Sequence, residues 1–311
     1  MEYRLLGPSG VRVSVIGLGT NRFGSKKLPQ DQVHRIIDAA LDLGINFIDT
    51  ADSYTAGKSE EMLGQALKGR RSRFIVATKF FFPTGDGPND GGTSRHHMTE
   101  ALEGSLRRLQ SDHVDLYYIH RWDEDTPIDE TLRALDDAVR MGKVRYVGCS
   151  AFAGWQLAHA NLLAQVRGWS PPIVVQCAYN ILQRDAEREV LPYCRAQKVG
   201  FIPYYPLAGG FLTGKYKRGE PPPPGSRGET SREVKSYMTE RSYDKVEKLS
   251  AWAQARSRTL NELAEAWLLA QPRVCSVISG ATRLEHVLAN VKAAGWVLTD
   301  EELQELNAIL G

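Results

Sequence analysis

Eight short apolar runs, each followed by a stretch with helical spacing, constrain this 311-residue chain more than anything else in it. The runs are Val15–Leu18, Asn46–Asp49, Phe74–Thr78, Val114–Ile119, Val144–Cys149, Ile173–Cys177, Val199–Tyr204 and Cys275–Ile278. The helical stretches are Gln30–Leu43, Ser59–Leu67, Arg95–Leu109, Thr126–Met141, Ala153–Val166, Ala186–Gln197 and, after the eighth run, Leu284–Ala293. In the first of these Val33, Ile36, Ile37, Ala40 and Leu41 fall at helical intervals. Ser59, ahead of Glu61-Met62, reads as the N-cap of the second. Such alternation demands parallel strands, because parallel neighbours can only be joined by a crossover. Eight units favour a closed (β/α)8 TIM barrel, an α/β fold, over an open sheet. Gly17-Leu18-Gly19 is half of a dinucleotide fingerprint whose third glycine is missing, so a Rossmann reading is the weaker one.

A small N-terminal β-hairpin, Tyr3–Leu6 with Val11–Val13, turns at Pro8-Ser9-Gly10. Two stretches break the rhythm. Phe80–Ser94 is a loop by its glycines, and Leu207–Ser242 carries Pro221-Pro222-Pro223-Pro224-Gly225. The alternation resumes beyond it, through helical stretches Tyr243–Arg256 and Thr259–Ala270. The second interruption therefore reads as a long loop after strand seven, over the barrel mouth, and residues 1–311 as one domain.

With 42% hydrophobic and 24% charged residues the chain is not of the disordered class, and its net charge of +2 makes no case for a nucleic-acid or membrane partner. No run approaches a membrane span, and Met1–Gly7 lacks a secretory pattern. Cys149, Cys177, Cys194 and Cys275 form no C-x-x-C pair and have no metal-ligand spacing with a histidine, so they read as buried free thiols of a cytoplasmic protein with no metal.

Barrel active sites form where strands end. Thr20 and Asn21 follow strand one, Asp49 ends strand two with Tyr54 just beyond, and Lys79 and His120 follow strands three and four. Ser150 ends strand five, Gln176 lies on strand six, and Asn180 follows. Singly, Asp49 is a turn or cap residue, Lys79 a solvated charge, His120 a structural histidine and Tyr54 a loop aromatic. Together they converge on one pocket. A lysine beside a phenol is expected to lower the tyrosine's pKa from about 10, a carboxylate keeps that lysine charged, and a histidine orients a carbonyl oxygen. The set suits protonation of an oxygen on which charge develops, as in hydride addition to a carbonyl, with the hydride coming from a cofactor.

Over nearly its whole length the chain resembles the aldo-keto reductases. The resemblance is carried by Tyr3-Arg4-Leu5-Leu6-Gly7, Val13–Thr20, Gly44-Ile45-Asn46-Phe47-Ile48-Asp49-Thr50-Ala51-Asp52-Ser53-Tyr54, Ser59-Glu60, Thr78-Lys79, Asp115–His120, Gly142–Arg145 and Gln176–Asn180. It implies a barrel that uses NADPH or NADH, with Tyr54 as general acid, Lys79 tuning it, Asp49 partnering Lys79 and His120 orienting the substrate. It implies cofactor contacts at Gly19, Thr20, Asn21, Asp49, Ser150 and Gln176, with Tyr204 stacking on the nicotinamide. Tyr205, Pro206, Leu207, Gly209 and Lys215 would form the pyrophosphate loop, and Gly280, Thr282, Arg283, His286 and Asn290 the adenosine-phosphate site. Arg283, at the opening of what reads as the last helix, favours NADPH, with NADH possible.

Three positions depart from the family pattern: Ala151 where asparagine is common, His286 where arginine or glutamine is usual, and Thr55 where glycine follows the tyrosine. Phe23, Phe81, Phe82 and Trp122 are candidate walls for a small aldehyde or ketone. The alternative is a nucleotide-sensing regulatory or channel-associated subunit with vestigial turnover. The intact His120 argues against it. Oligomeric state is not readable from the sequence.

Overall fold

The computed structural model describes residues 1–311. A two-stranded antiparallel hairpin, β1 (Tyr3–Leu5) and β2 (Arg12–Ser14), opens the chain. Eight parallel strands follow: β3 (Ile16–Gly19), β4 (Phe47–Asp49), β5 (Ile75–Phe80), β6 (Val114–Ile119), β7 (Val144–Ser150), β8 (Pro172–Ala178), β9 (Gly200–Tyr204) and β10 (Val277–Gly280). Their spatial order is β10-β3-β4-β5-β6-β7-β8-β9. The remaining edge is closed by backbone bonds just ahead of β10: Phe201 N–H donates to Arg273 O and Cys275 N–H to Phe201 O, each at 2.9 Å. The expected eight-stranded barrel is therefore present.

Six helices alternate with β3 to β9: α1 (Gln30–Asp42), α2 (Lys58–Leu67), α3 (Arg95–Leu109), α4 (Ile128–Arg140), α5 (Gly154–Arg167) and α6 (Val190–Gln197). Their apolar stripes face the strands, as in α1, where Val33, Ile36, Ile37 and Ala40 are buried. A large outer core joins strands to helices, and a small inner one fills the barrel. Leu6 and Val13 belong to the inner core, so the hairpin plugs the end of the barrel opposite the strand C-termini. Gly7 makes that fit possible. It has φ of +60°, and a Cβ there would lie 2.1 Å from Ile173 O.

The segment after β9 is more ordered than a loop. It holds a 3₁₀ turn (Ala208–Thr213), α7 (Arg227–Thr230) and α8 (Arg232–Tyr237), then α9 (Glu240–Gln254) and α10 (Leu260–Leu269). After β10 come α11 (Leu284–Ala293) and α12 (Asp300–Leu310). The helix opened by Arg283 is thus not the last. The signal for α12 was in the chain, because Thr299 and Glu302 form a reciprocal capping box.

Ser59 is not an N-cap. Gly57, at φ of +83°, begins α2, and Ser59 lies inside the helix. Its hydroxyl donates to Thr20 O at 2.9 Å and meets the hydroxyls of Thr20 and Thr50, because the helix start is pressed against the barrel rim. No helix is long and apolar enough to cross a membrane. All four cysteines are free and buried.

Candidate active site

The strand C-termini bring the four expected side chains into one site. Asp49 ends β4 and Lys79 lies near the end of β5; Tyr54 and His120 leave by the loops after β4 and β6. Lys79 is wholly buried. Its ammonium donates to Asp49 Oδ1 at 2.5 Å, Thr50 O at 2.8 Å and Tyr54 Oη at 3.4 Å. It also lies 5.1 Å from the centre of the Tyr54 ring and 5.6 Å from that of Tyr118. A buried ammonium is held charged only when paired. Burial, which lowers its pKa, is here outweighed by Asp49 and Tyr54, so Lys79 titrates above its ordinary value.

The expected lowering of Tyr54 does not hold on balance. Burial raises the phenol, and this outweighs the pull of Lys79 and its hydrogen bond, leaving Tyr54 above its ordinary value of 10.0. Tyr54 is consequently a neutral O–H donor across the physiological range. The His120 ring stands 6.0 Å from that of Tyr54 at 75°. Burial, then the charges of Lys79 and Arg121, pull its pKa down to about 3, so it is a neutral imidazole. Its buried Nδ1 has no partner within the protein.

Gln176, on β8, donates from Nε2 to Asp49 Oδ2 at 2.9 Å, tying the amide to the carboxylate that holds Lys79. Thr20 is buried and its hydroxyl donates to Asp49 O at 3.0 Å, so its side chain braces the rim. Gly19 pairs with Gly280 across β3 and β10, and Asn21 is exposed beside them. Ser150 is buried at the end of β7, and Tyr204 half-buried at the end of β9. Phe23 is wholly buried in the outer core, so its ring is not a wall of the mouth. Phe82 packs edge-on to His120 at 4.9 Å and against Phe81, whereas Trp122 packs against Phe152 and Trp155 of the neighbouring loop and helix.

Five of the nine non-glycine residues with positive φ lie on loops leaving this rim: Thr55, Ala56, Ala151, Tyr205 and Ala208. Strained backbone of this kind gathers at functional sites. Thr55, at φ of +49°, keeps the left-handed path a glycine would take, anchored by its hydroxyl donating to Phe23 O at 2.5 Å.

Several cations on these loops form no ion pair. Arg227 is half-buried, forms no ion pair, and is pushed below its ordinary pKa by burial and by Arg22. The sequence offered no way to separate Arg227 from the other basic residues of its loop, because its nearness to Arg22 and to Tyr205 is long-range. In the 3₁₀ turn Gly209 and Gly210 have φ of +65° and +103°, and a Cβ on Gly210 would lie 3.1 Å from Lys215 Nζ. Across from them Arg283 Nε donates to His286 Nε2 at 3.0 Å. Burial, then the charges of Arg283 and Lys215, lower that imidazole's pKa against an opposing Glu285, so these groups converge, with Thr282 bonded to His286 and Asn290 buried one turn on. Unpaired guanidiniums, glycine backbone and a helix start suit a phosphorylated ligand.

A model of the aldo/keto reductase family matches residues 15–310. The uncharacterized oxidoreductase YrpG of Bacillus subtilis is 39% identical, over 99% of this chain and 96% of its own. A probable voltage-gated potassium channel subunit beta of Oryza sativa is 36% identical, over 100% and 97%. The versiconal hemiacetal acetate reductase of Aspergillus parasiticus is 33% identical, over 98% and 96%.

Proposed function

The chain belongs to the aldo/keto reductase family of oxidoreductases, and on that premise we propose that it reduces a small aldehyde or ketone to an alcohol with NADPH, Tyr54 being the general acid. The observation that carries this reading is the Lys79 ammonium, bonded at once to Asp49 and to the Tyr54 hydroxyl in a buried site. Gln176, Ser150 and Tyr204 would hold the nicotinamide end of the cofactor, and Lys215, Arg227, Arg283 and the Gly209-Gly210 backbone its phosphates. When bound, NADPH supplies the hydride that adds to the carbonyl carbon.

The protein's own part is at the oxygen. Tyr54 Oη donates its proton to the carbonyl oxygen as charge builds there, and the adjacent Lys79 ammonium stabilises the phenolate left behind. Asp49 and Thr50 O keep that ammonium charged and aimed. Neutral His120, whose ring stands beside that of Tyr54, orients the substrate oxygen toward Tyr54. Phe82, beside His120, gives the substrate an apolar wall.

The test is titration of the purified protein's intrinsic fluorescence with NADPH and NADH, run beside NADPH oxidation with a panel of aldehydes and ketones. Binding with oxidation supports the reading. A second reading, a nucleotide-binding regulatory subunit, is favoured by the likeness to the probable potassium channel subunit beta of Oryza sativa. Tight binding with no oxidation of any substrate would select it. Failure to bind either nucleotide would overturn both.

A further inference from the structure

The wall joining the two proposed phosphate-binding segments is α10, which packs against the 3₁₀ turn on one side and against β10 and α11 on the other. Two carboxylates interrupt its buried apolar face: Glu262, which caps the helix through Thr259 and pairs with Arg258 and Lys292, and Glu265, which pairs with no cation. This side chain is wholly buried. Its Oε1 accepts a hydrogen bond from Ser279 Oγ at 2.8 Å, and its Oε2 has no partner. Ser279 is the penultimate residue of β10. Strand alternation turns Ile278 into the barrel and Ser279 outward onto α10. Gly280 ends the strand, and Ala281-Thr282-Arg283 leave the sheet directly after it.

A leucine would fill the Glu265 site with no polar group to satisfy. A buried, half-satisfied carboxyl costs stability there, and what it adds in return is one bond to the strand end. We propose that Glu265 is a positioning residue for the nucleotide's phosphate site: through Ser279 it sets the end of β10 and hence where Thr282 and Arg283 point. This rests on the reading that these residues hold the cofactor's phosphate.

The bond has a pH dependence. Burial pushes the Glu265 carboxyl up to about 8, against which only the Ser279 hydroxyl acts; no charged side chain of α9, α11, β10 or the 3₁₀ turn offsets it. At neutral pH the carboxyl is protonated and the tie is a bond between neutral groups. Above its pKa a charge appears in an apolar site, and the strand end moves to relieve it.

The experiment is fluorescence titration with NADPH at pH of about 7 and about 9.5, on the wild type, Glu265→Gln and Glu265→Leu, with thermal melts of each. Glu265→Gln, a neutral isostere, is expected to match the wild type at the lower pH and to keep that affinity at the higher, where the wild type weakens. Glu265→Leu is expected to bind, at both values, about fivefold more weakly than the wild type does at the lower pH, the worth of about one hydrogen bond, without a lower melting temperature. A purely structural role would shift the melts and leave the affinities alone. Wild-type affinity in Glu265→Leu, or equal alkaline weakening in Glu265→Gln and the wild type, would overturn the proposal. Arg283→Ala separates this failure from that of the phosphate-site reading. If it weakens NADPH more than NADH while Glu265→Leu does nothing, the inference alone fails; if it changes neither affinity, both fail.

Discussion

Asp52 and Glu60 occupy one buried polar site behind Tyr54, and Glu60 alone is paired. Glu60 accepts from the Thr78 hydroxyl at 2.5 Å and from Arg108 Nε at 2.7 Å, whereas no side chain bonds either oxygen of Asp52. Burial, then the nearby Glu60 charge, lifts Asp52 from 3.8 to about 7. The fold therefore prefers the protonated acid. Between those two values the unfolded chain has released the proton and the folded one keeps it, so stability falls as pH rises, by at most about 1.4 kcal/mol per pH unit. Asp52→Asn should abolish this slope. Urea denaturation at pH of about 4 and about 8 should show the variant unchanged at the first and more stable at the second; equal slopes in both proteins would remove Asp52 from this account.

His120 produces the opposite slope. Burial, with Lys79 and Arg121, lowers it from 6.5 to about 3. As pH drops through that window the unfolded chain takes up a proton that the folded one refuses, and stability is lost. His120→Asn should flatten the acid side of the stability curve relative to the wild type, as read by the same denaturation series. The steepness in wild type is bounded at about 1.4 kcal/mol per pH unit.

Tyr54→Phe removes the proposed proton donor and keeps the ring. Turnover of any carbonyl that the wild type reduces should fall by about 10² to 10⁴, the usual worth of a general acid. Nucleotide affinity should stay within about twofold, since the lost hydroxyl meets Lys79 and none of the residues proposed to hold the nucleotide. Steady-state kinetics beside fluorescence titration checks both halves; normal turnover would take the acid role away from Tyr54.

Gln176→Leu leaves Asp49 Oδ2 buried without its donor. The expected loss is about 1–3 kcal/mol of folding stability. Slack in the Asp49–Lys79 pair should also appear as a lower kcat, while Gln176→Glu should be worse still because it sets a second carboxylate against the first. Denaturant midpoints and kcat for the two variants decide this, and wild-type stability in Gln176→Leu would show the bond to be unimportant.

Much of this was legible from the chain. Strand and helix periodicities are local properties, so the eight βα units could be counted and Asp49, Tyr54, Lys79 and His120 assigned to strand ends before any contact was known. The rule that barrel sites form at those ends then brought the four together. Local spacing did not show which way a loop residue faces or what surrounds it. Phe23 reads as a mouth residue by its place after β3, yet it is wholly buried in the outer core. Lys79 and Tyr54 were expected to interact, but the sign of the phenol's shift depended on how much water the assembled barrel excludes, and burial won. Gln176 and Asp49 stand 127 residues apart. Hydrogen-bond partners, burial and titration depend on elements distant in sequence, because solvent exclusion and through-space charge act between whatever packing makes neighbours. Periodicity depends only on the residues within a turn or two along the chain.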